Sequence, residues 1–113
     1  MPHLHAKAIL VVALAALAAC LFAEVAGAAA DNVQRGREFA RANCARCHSV
    51  ERTGESPRKS APPFRVLHQR YPVEYLEEAL AEGIVTGHSD MPEFRLEPDQ
   101  IADFIDFLKS LEE

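Results

Sequence analysis

The clearest hydrophobic pattern lies at the C-terminal end of the chain. Apolar residues recur there every three or four positions, the spacing of an amphipathic helix, and Pro98 suits the first turn. Asp99 in the first turn and Lys109 in the last match the helix dipole. We therefore predict a helix from Pro98 to about Leu111. Its expected buried face consists of Ile101, Phe104, Ile105, Leu108 and Leu111.

A second helix is predicted between a proline and a glycine. Pro72 suits its first turn and Gly83 is a natural stop. The expected apolar stripe is Val73, Leu76 and Leu80. Glutamates occupy the other side, and we interpret them as a solvated face rather than a docking patch.

A third helix is expected at residues 33–43, immediately before Cys44. Two loops rich in glycine and proline follow, at residues 53–63 and 86–92. No stretch alternates with the period of a strand. The predicted fold class is therefore all-α.

Residues 1–30 follow the pattern of an export signal. Lys7 provides a weakly basic start, and residues 8–23 form an uncharged run, shorter than the roughly 20 residues of a membrane-spanning helix. Three alanines then precede Asp31. We predict a signal peptide at residues 1–30, cleaved within a few residues of Asp31, and a single domain at residues 31–113. An uncleaved anchor helix is the alternative.

The cysteine of this leader, Cys20, allows another interpretation. The sequence Leu-Ala-Ala-Cys ending there resembles a lipobox, in which the cysteine becomes lipidated after cleavage. Against this, the apolar run continues beyond Cys20, where a lipoprotein normally turns polar. We expect a periplasmic protein without an integral membrane span after cleavage. A lipid anchor through Cys20 remains the alternative.

Charge and size narrow the possible partners. The formal net charge is −5, and it is unchanged from Asp31 onward because the leader holds one basic and one acidic residue, Lys7 and Glu24. An acidic chain is a poor partner for nucleic acid or for an anionic membrane surface.

The predicted domain, residues 31–113, is short. A domain of this length has a marginal core, and such domains usually depend on a disulfide, a metal or a cofactor for stability.

The remaining cysteines, Cys44 and Cys47, are followed directly by His48. A disulfide between them would close too short a loop to stabilise the fold much. The spacing Cys-x-x-Cys-His is that of a c-type haem attachment site, in which both thiols bond to the haem and the histidine binds its iron. We predict one covalent haem c, with Cys44 and Cys47 as thioether residues and His48 as the proximal ligand.

Two other types of site use paired cysteines. A thioredoxin-like redox site needs the pair after a strand and at the start of a helix, whereas here it follows a predicted helix. A zinc site needs about four ligands, and only the scattered His68 and His88 are available. Haem attachment is therefore the favoured interpretation.

The domain that begins at Asp31 resembles the class I cytochromes c over nearly its whole length. That family has a glycine eight residues before its first haem cysteine, as Gly36 is here, and a Gly-Pro-x-Leu segment similar to residues 61–64. The resemblance implies that the Pro62 carbonyl accepts a hydrogen bond from His48, and that the last helix crosses the first near Gly36. The chain departs from the family in having Ala61 for glycine, no tryptophan, and Ala40 where a large residue is common, so that crossing is expected to pack differently.

The resemblance also implies a methionine ligand from the loop before the last helix. Met91 stands there and is the only methionine after Met1. A thioether suits haem iron and raises its reduction potential relative to a second histidine. Met91 is the predicted distal ligand. His88 is the nearest competitor, and we interpret both His88 and His68, the latter in a more remote loop, as surface histidines.

With both axial positions occupied, the iron has no vacancy for a substrate. We therefore expect an electron carrier rather than an enzyme, one that docks transiently with redox proteins as donor and acceptor. The alternatives are a haem subunit of a larger oxidoreductase, and a haem enzyme or gas sensor with a labile sixth ligand.

Overall fold

The computed structural model describes residues 2–84 and 90–112. It separates into two units, one ending at Ala30 and one beginning at Asp31. Among the described residues there is no strand, and the all-α prediction is confirmed. The elements are α1 (Pro2–Asn43), a 3-10 helix (Phe64–Gln69), a second 3-10 helix (Val73–Tyr75), α2 (Leu76–Glu82) and α3 (Pro98–Ser110).

The first unit consists of the N-terminal part of α1. The predicted start of this helix at residue 33 is wrong, because α1 already begins at Pro2. Alanine has the highest helix propensity, and the alanine-rich residues 3–30 contain no proline. Apolar side chains such as Ile9 and Val12 are exposed within this unit. No helix of the described residues is both long enough and apolar enough to cross a membrane.

In the second unit, α1 and α3 cross at Gly36. A Cβ atom at this position would lie 2.1 Å from the Asp103 carbonyl oxygen and 2.7 Å from Phe107 Cβ, so only glycine permits the approach. Beside the crossing, Arg35 forms an ion pair with Asp103 at 2.6 Å. The predicted crossing of the first and last helices near Gly36 is present.

Helix α3 begins at the predicted Pro98 and ends one residue before Leu111. The Gln100 side chain accepts a hydrogen bond from the Glu97 backbone N–H at 3.1 Å, which satisfies a donor at the start of the helix. All five residues of the predicted face are buried. Phe107 was not part of that face but is fully buried, because α1 covers α3 on this side as well.

The predicted second helix is corrected at its start. Pro72 has an extended backbone (φ −57°, ψ 129°), and the first turn, Val73–Tyr75, is a 3-10 helix that continues into α2. The predicted end is confirmed, since Gly83 follows α2 with a φ of 110° that disfavours other residues. Of the predicted stripe, Val73 and Leu80 are buried and Leu76 is half-buried.

The 3-10 helix at Phe64–Gln69 was not predicted. Its buried residues, Phe64 and Leu67, are three positions apart, the repeat of a 3-10 helix, but two residues are too short a pattern to recognise. His68 lies in this helix and is half-buried, so its prediction as a surface histidine of a remote loop is wrong.

The core of the second unit is formed largely by α3 and the segments that pack on it. The Phe104 ring makes edge contacts with Phe39 at 5.5 Å and with Phe64 at 5.8 Å between centroids. Ala40 is fully buried. The large side chain beside it, Phe39, is half-buried and also contacts Phe94. The aromatic contact at this position therefore comes from Phe39, one residue earlier than the family pattern implied.

Candidate functional site

The Cys-x-x-Cys-His motif forms a turn that continues directly from α1. The Cys44 N–H donates to the Ala40 carbonyl at 2.8 Å, and the His48 N–H donates to the Cys44 carbonyl at 2.9 Å. Because α1 packs on α3 at Gly36, the turn at the end of α1 is attached to the core of the domain. All three motif residues, Cys44, Cys47 and His48, line the same cavity.

This cavity has a volume of about 420 Å³ and a mainly apolar wall. That size is within the range of small-molecule and cofactor sites. Apart from the motif, its wall is formed mostly by aromatic and aliphatic side chains, including Phe39, Phe64, Leu67, Leu76, Leu80, Phe94, Phe104 and Leu108. A large apolar group with two points of covalent attachment fits these surroundings.

The orientation of His48 is set by contacts on both sides of its ring. Nδ1 lies 2.8 Å from the Pro62 carbonyl oxygen, and the ring centroid is 5.0 Å from that of Phe64. A carbonyl oxygen can only accept, so Nδ1 carries a hydrogen, and in the neutral imidazole Nε2 then has a free lone pair. A neutral imidazole in this tautomer can bind a metal through the lone pair of Nε2.

The environment of Cys44 distinguishes this pair from a redox-active dithiol. Burial raises the pKa of the Cys44 thiol to about 11, so at neutral pH the side chain is an uncharged thiol. Thioredoxin-like cysteines depend on a lowered pKa instead. A thioether carries no charge at any pH, so conversion of Cys44 to a thioether suits the apolar wall. Cys44 and Cys47 are both free cysteines.

Two observations concern the alternative metal ligands, His68 and His88, and the possibility of a zinc site. Among the described residues, no group of three or more His, Cys, Asp or Glu side chains is placed to hold a metal ion. His68 does not line the cavity of the motif; it lies at a separate depression with Arg52 and Arg65. His88 is outside the described residues.

Met91 lines the cavity together with His48. Its side chain is half-buried, and backbone hydrogen bonds join the segment that follows it to α2 and to Ile84, just beyond α2. The Ile84 N–H donates to the Phe94 carbonyl at 3.2 Å, and the Leu96 N–H donates to the Leu80 carbonyl at 2.9 Å. These bonds hold the segment that follows Met91 beside the end of α2.

Sequence reasoning did not identify two charged residues at the cavity. Arg58 and Asp90 both line it, and they form an ion pair with each other at 2.5 Å. Arg58 lies in a loop and Asp90 directly precedes Met91. No periodicity or motif connects the two positions, so only the folded chain reveals the contact.

An all-α domain whose Cys-x-x-Cys-His turn lines an apolar cavity belongs to the class of c-type haem proteins. Comparison with known families agrees, since residues 33–112 match the cytochrome c family. The chain therefore belongs to that family and binds haem c covalently, with Cys44, Cys47 and His48 fitting its attachment motif. Membership indicates haem-based electron transfer. No curated protein and no solved structure matches the chain significantly.

Proposed function

We propose that this chain is a periplasmic cytochrome that transfers single electrons between a donor and an acceptor protein. Cys44 and Cys47 carry the haem, with His48 and Met91 as axial ligands of its iron. The observation that carries the proposal is that one apolar cavity is lined by both cysteines, by an imidazole and by a thioether. When bound, the haem supplies an iron that takes up and releases one electron.

His48 acts as the proximal ligand through Nε2. The Pro62 carbonyl, 2.8 Å from Nδ1, holds the ring in the tautomer that leaves Nε2 available. Because the Nδ1–H of His48 donates to this carbonyl, the imidazole becomes a stronger electron donor to the metal. Phe64 packs against the ring and limits its rotation.

Met91 acts as the distal ligand. A neutral thioether in an apolar wall favours the less charged, reduced form of the iron, which raises the reduction potential. Because His48 and Met91 together complete the coordination, no position stays open for oxygen or a substrate. The protein residues then bind and orient the haem and exclude water from it, which is sufficient for a carrier.

Export is supported by the distribution of contacts along α1. Asn32 donates a hydrogen bond to Asp106 at 3.1 Å, and Arg35 pairs with Asp103, so these contacts with α3 come from residues after Asp31. The alanines at residues 28–30 are exposed. Cleavage before Asp31 would therefore remove a leader without removing these contacts. Lipidation at Cys20 would place the same domain at a membrane surface.

The absorption spectrum of the oxidised protein tests the axial ligands. We expect the weak red charge-transfer band of methionine–iron ligation in the wild type and its loss in Met91→Ala. His88→Ala is the matched control and should keep the band, because it removes the nearest competing ligand. A wild type without the band, or one whose reduced form readily binds carbon monoxide, would contradict the carrier function and favour an enzyme or gas sensor.

A further inference from the structure

The ion pair between Arg58 and Asp90 joins two distant parts of the chain. Arg58 Nη1 lies 2.5 Å from Asp90 Oδ2, and the two residues are separated by 32 positions in the sequence. The backbone N–H of Arg58 donates to the Cys47 carbonyl at 3.1 Å. Arg58 is thus fixed to the attachment turn through its backbone and to the loop of Met91 through its side chain.

The Arg58 guanidinium bonds to the Asp90 carboxylate. This hydrogen bond is the main cause that raises the Arg58 pKa above its ordinary value, so the guanidinium stays charged beside the carboxylate.

The position of the pair relative to Met91 suggests its role. Asp90 is the residue directly before Met91, while the segment after Met91 is bonded through Leu96 to α2 and through Phe94 to Ile84, just beyond α2. For Met91 to leave the cavity, its loop has to move on at least one of these sides. The ion pair opposes that movement on the N-terminal side.

We propose that Arg58 and Asp90 are positioning residues for Met91. By joining its loop to the attachment turn, they set how readily an exogenous ligand replaces the thioether on the iron. This inference rests on the proposed role of Met91 as the distal ligand. Neither residue is assigned to the iron itself, and their effect is exerted on the free energy of opening the loop.

Imidazole titration of the oxidised holoprotein tests the proposal, with the loss of the red band as the readout. Arg58→Gln and Asp90→Asn should keep the band without imidazole, but should bind imidazole about two- to fivefold more tightly, the factor that corresponds to an exposed ion pair. The double variant should bind imidazole at least as tightly as either single variant, because both substitutions weaken the contact between Arg58 and Asp90.

Arg41→Gln provides a matched control. Arg41 pairs with Glu51 at 2.7 Å, and the side-chain exposures of 51% and 47% are close to the 49% and 63% of Arg58 and Asp90. This pair does not line the cavity, so its loss should leave imidazole affinity unchanged. An equal increase in Arg41→Gln would overturn the proposal, since the effect would then be one of general stability.

Failure of the inference can be distinguished from failure of the proposed function. If the wild type shows the red band and Met91→Ala loses it, but Arg58→Gln and Asp90→Asn bind imidazole like the wild type, only the positioning role is wrong. If the wild type lacks the band, Met91 is not the ligand and both proposals are overturned.

Discussion

The segment around His48 and the segment around Met91 line the same cavity, but they are held by different kinds of contact. We name residues 44–64 the His48 side and residues 90–96 the Met91 side. The His48 side continues from α1, and its backbone closes on itself through a bond from the Phe64 N–H to the Ser49 carbonyl at 2.9 Å. The Met91 side depends on hydrogen bonds to α2 and to Ile84, and on an exposed ion pair with Arg58.

The difference lies in how far water competes with the contacts. Phe64, on the His48 side, is only 7% exposed, and Ser49 is buried as well. On the Met91 side, Phe94 is half-buried, while Asp90 and Arg95 are exposed. Exposed polar contacts are weak and regions that depend on them open at low cost. We therefore expect the His48 side to contribute more to the free energy of unfolding, and the Met91 side to unfold locally before the rest of the domain.

The largest expected effect comes from a matched pair of phenylalanine truncations. Phe64→Ala should lower the free energy of unfolding by about 3–5 kcal/mol, as for other buried phenylalanines. Phe94→Ala should lower the free energy of unfolding clearly less, because the Phe94 ring is already partly exposed to water. Urea denaturation of the holoprotein, followed by circular dichroism, measures both. Equal losses would show that the two sides are equally important for stability.

A smaller effect is expected from Arg95, which joins the Met91 side to the end of α2. Its guanidinium donates to the Glu82 carbonyl at 2.7 Å and 3.2 Å. Arg95→Ala should cost about 1 kcal/mol, the net value of a hydrogen bond in water. The red band should then disappear at a lower urea concentration than the helical signal. Lys59→Ala, at another exposed position, is the control, and coincident transitions would argue against separate opening of the Met91 side.

The smallest effect is expected at an ion pair that does not line the cavity. The hydrogen bond from Lys109, at 2.7 Å, lowers the pKa of Glu74 below its ordinary value of 4.5. A lowered carboxyl pKa stabilises the fold above pH 4.5, and the stabilisation is lost as the pH falls through the lowered pKa. Glu74→Gln should therefore melt slightly below the wild type at pH 7, and the difference should vanish in acid.

Thermal denaturation at several pH values measures this, with the red band as a second readout. The band should be the same in Glu74→Gln and the wild type at pH 7, because the pair belongs to neither side of the cavity. A difference in melting temperature that persists unchanged in acid would show that the ion pair is not its cause.

Local signals predicted much of the fold. Pro98 and the period of the apolar residues placed α3, and Gly83 placed the end of α2, because such residues act on the few positions around them. The predicted start of α1 was wrong, since the helix propensity of the alanine-rich residues 3–30 extends the helix back to Pro2. The 3-10 helix at Phe64–Gln69 escaped prediction because so short an element has almost no periodicity.

The candidate site divides in the same way. Cys44, Cys47 and His48 could be recognised from the sequence because their chemistry depends on a spacing within one turn. Met91 was predicted through a family resemblance, and its role remains a proposal.

Burial of Phe107 and the pairing of Arg58 with Asp90 were decided only by the tertiary structure. Both depend on which segments meet in space, and contacts between positions far apart in the chain leave no periodic trace in the sequence. The sequence alone therefore determined the type of haem attachment. The packing of the chain decided how firmly each side of the cavity is held.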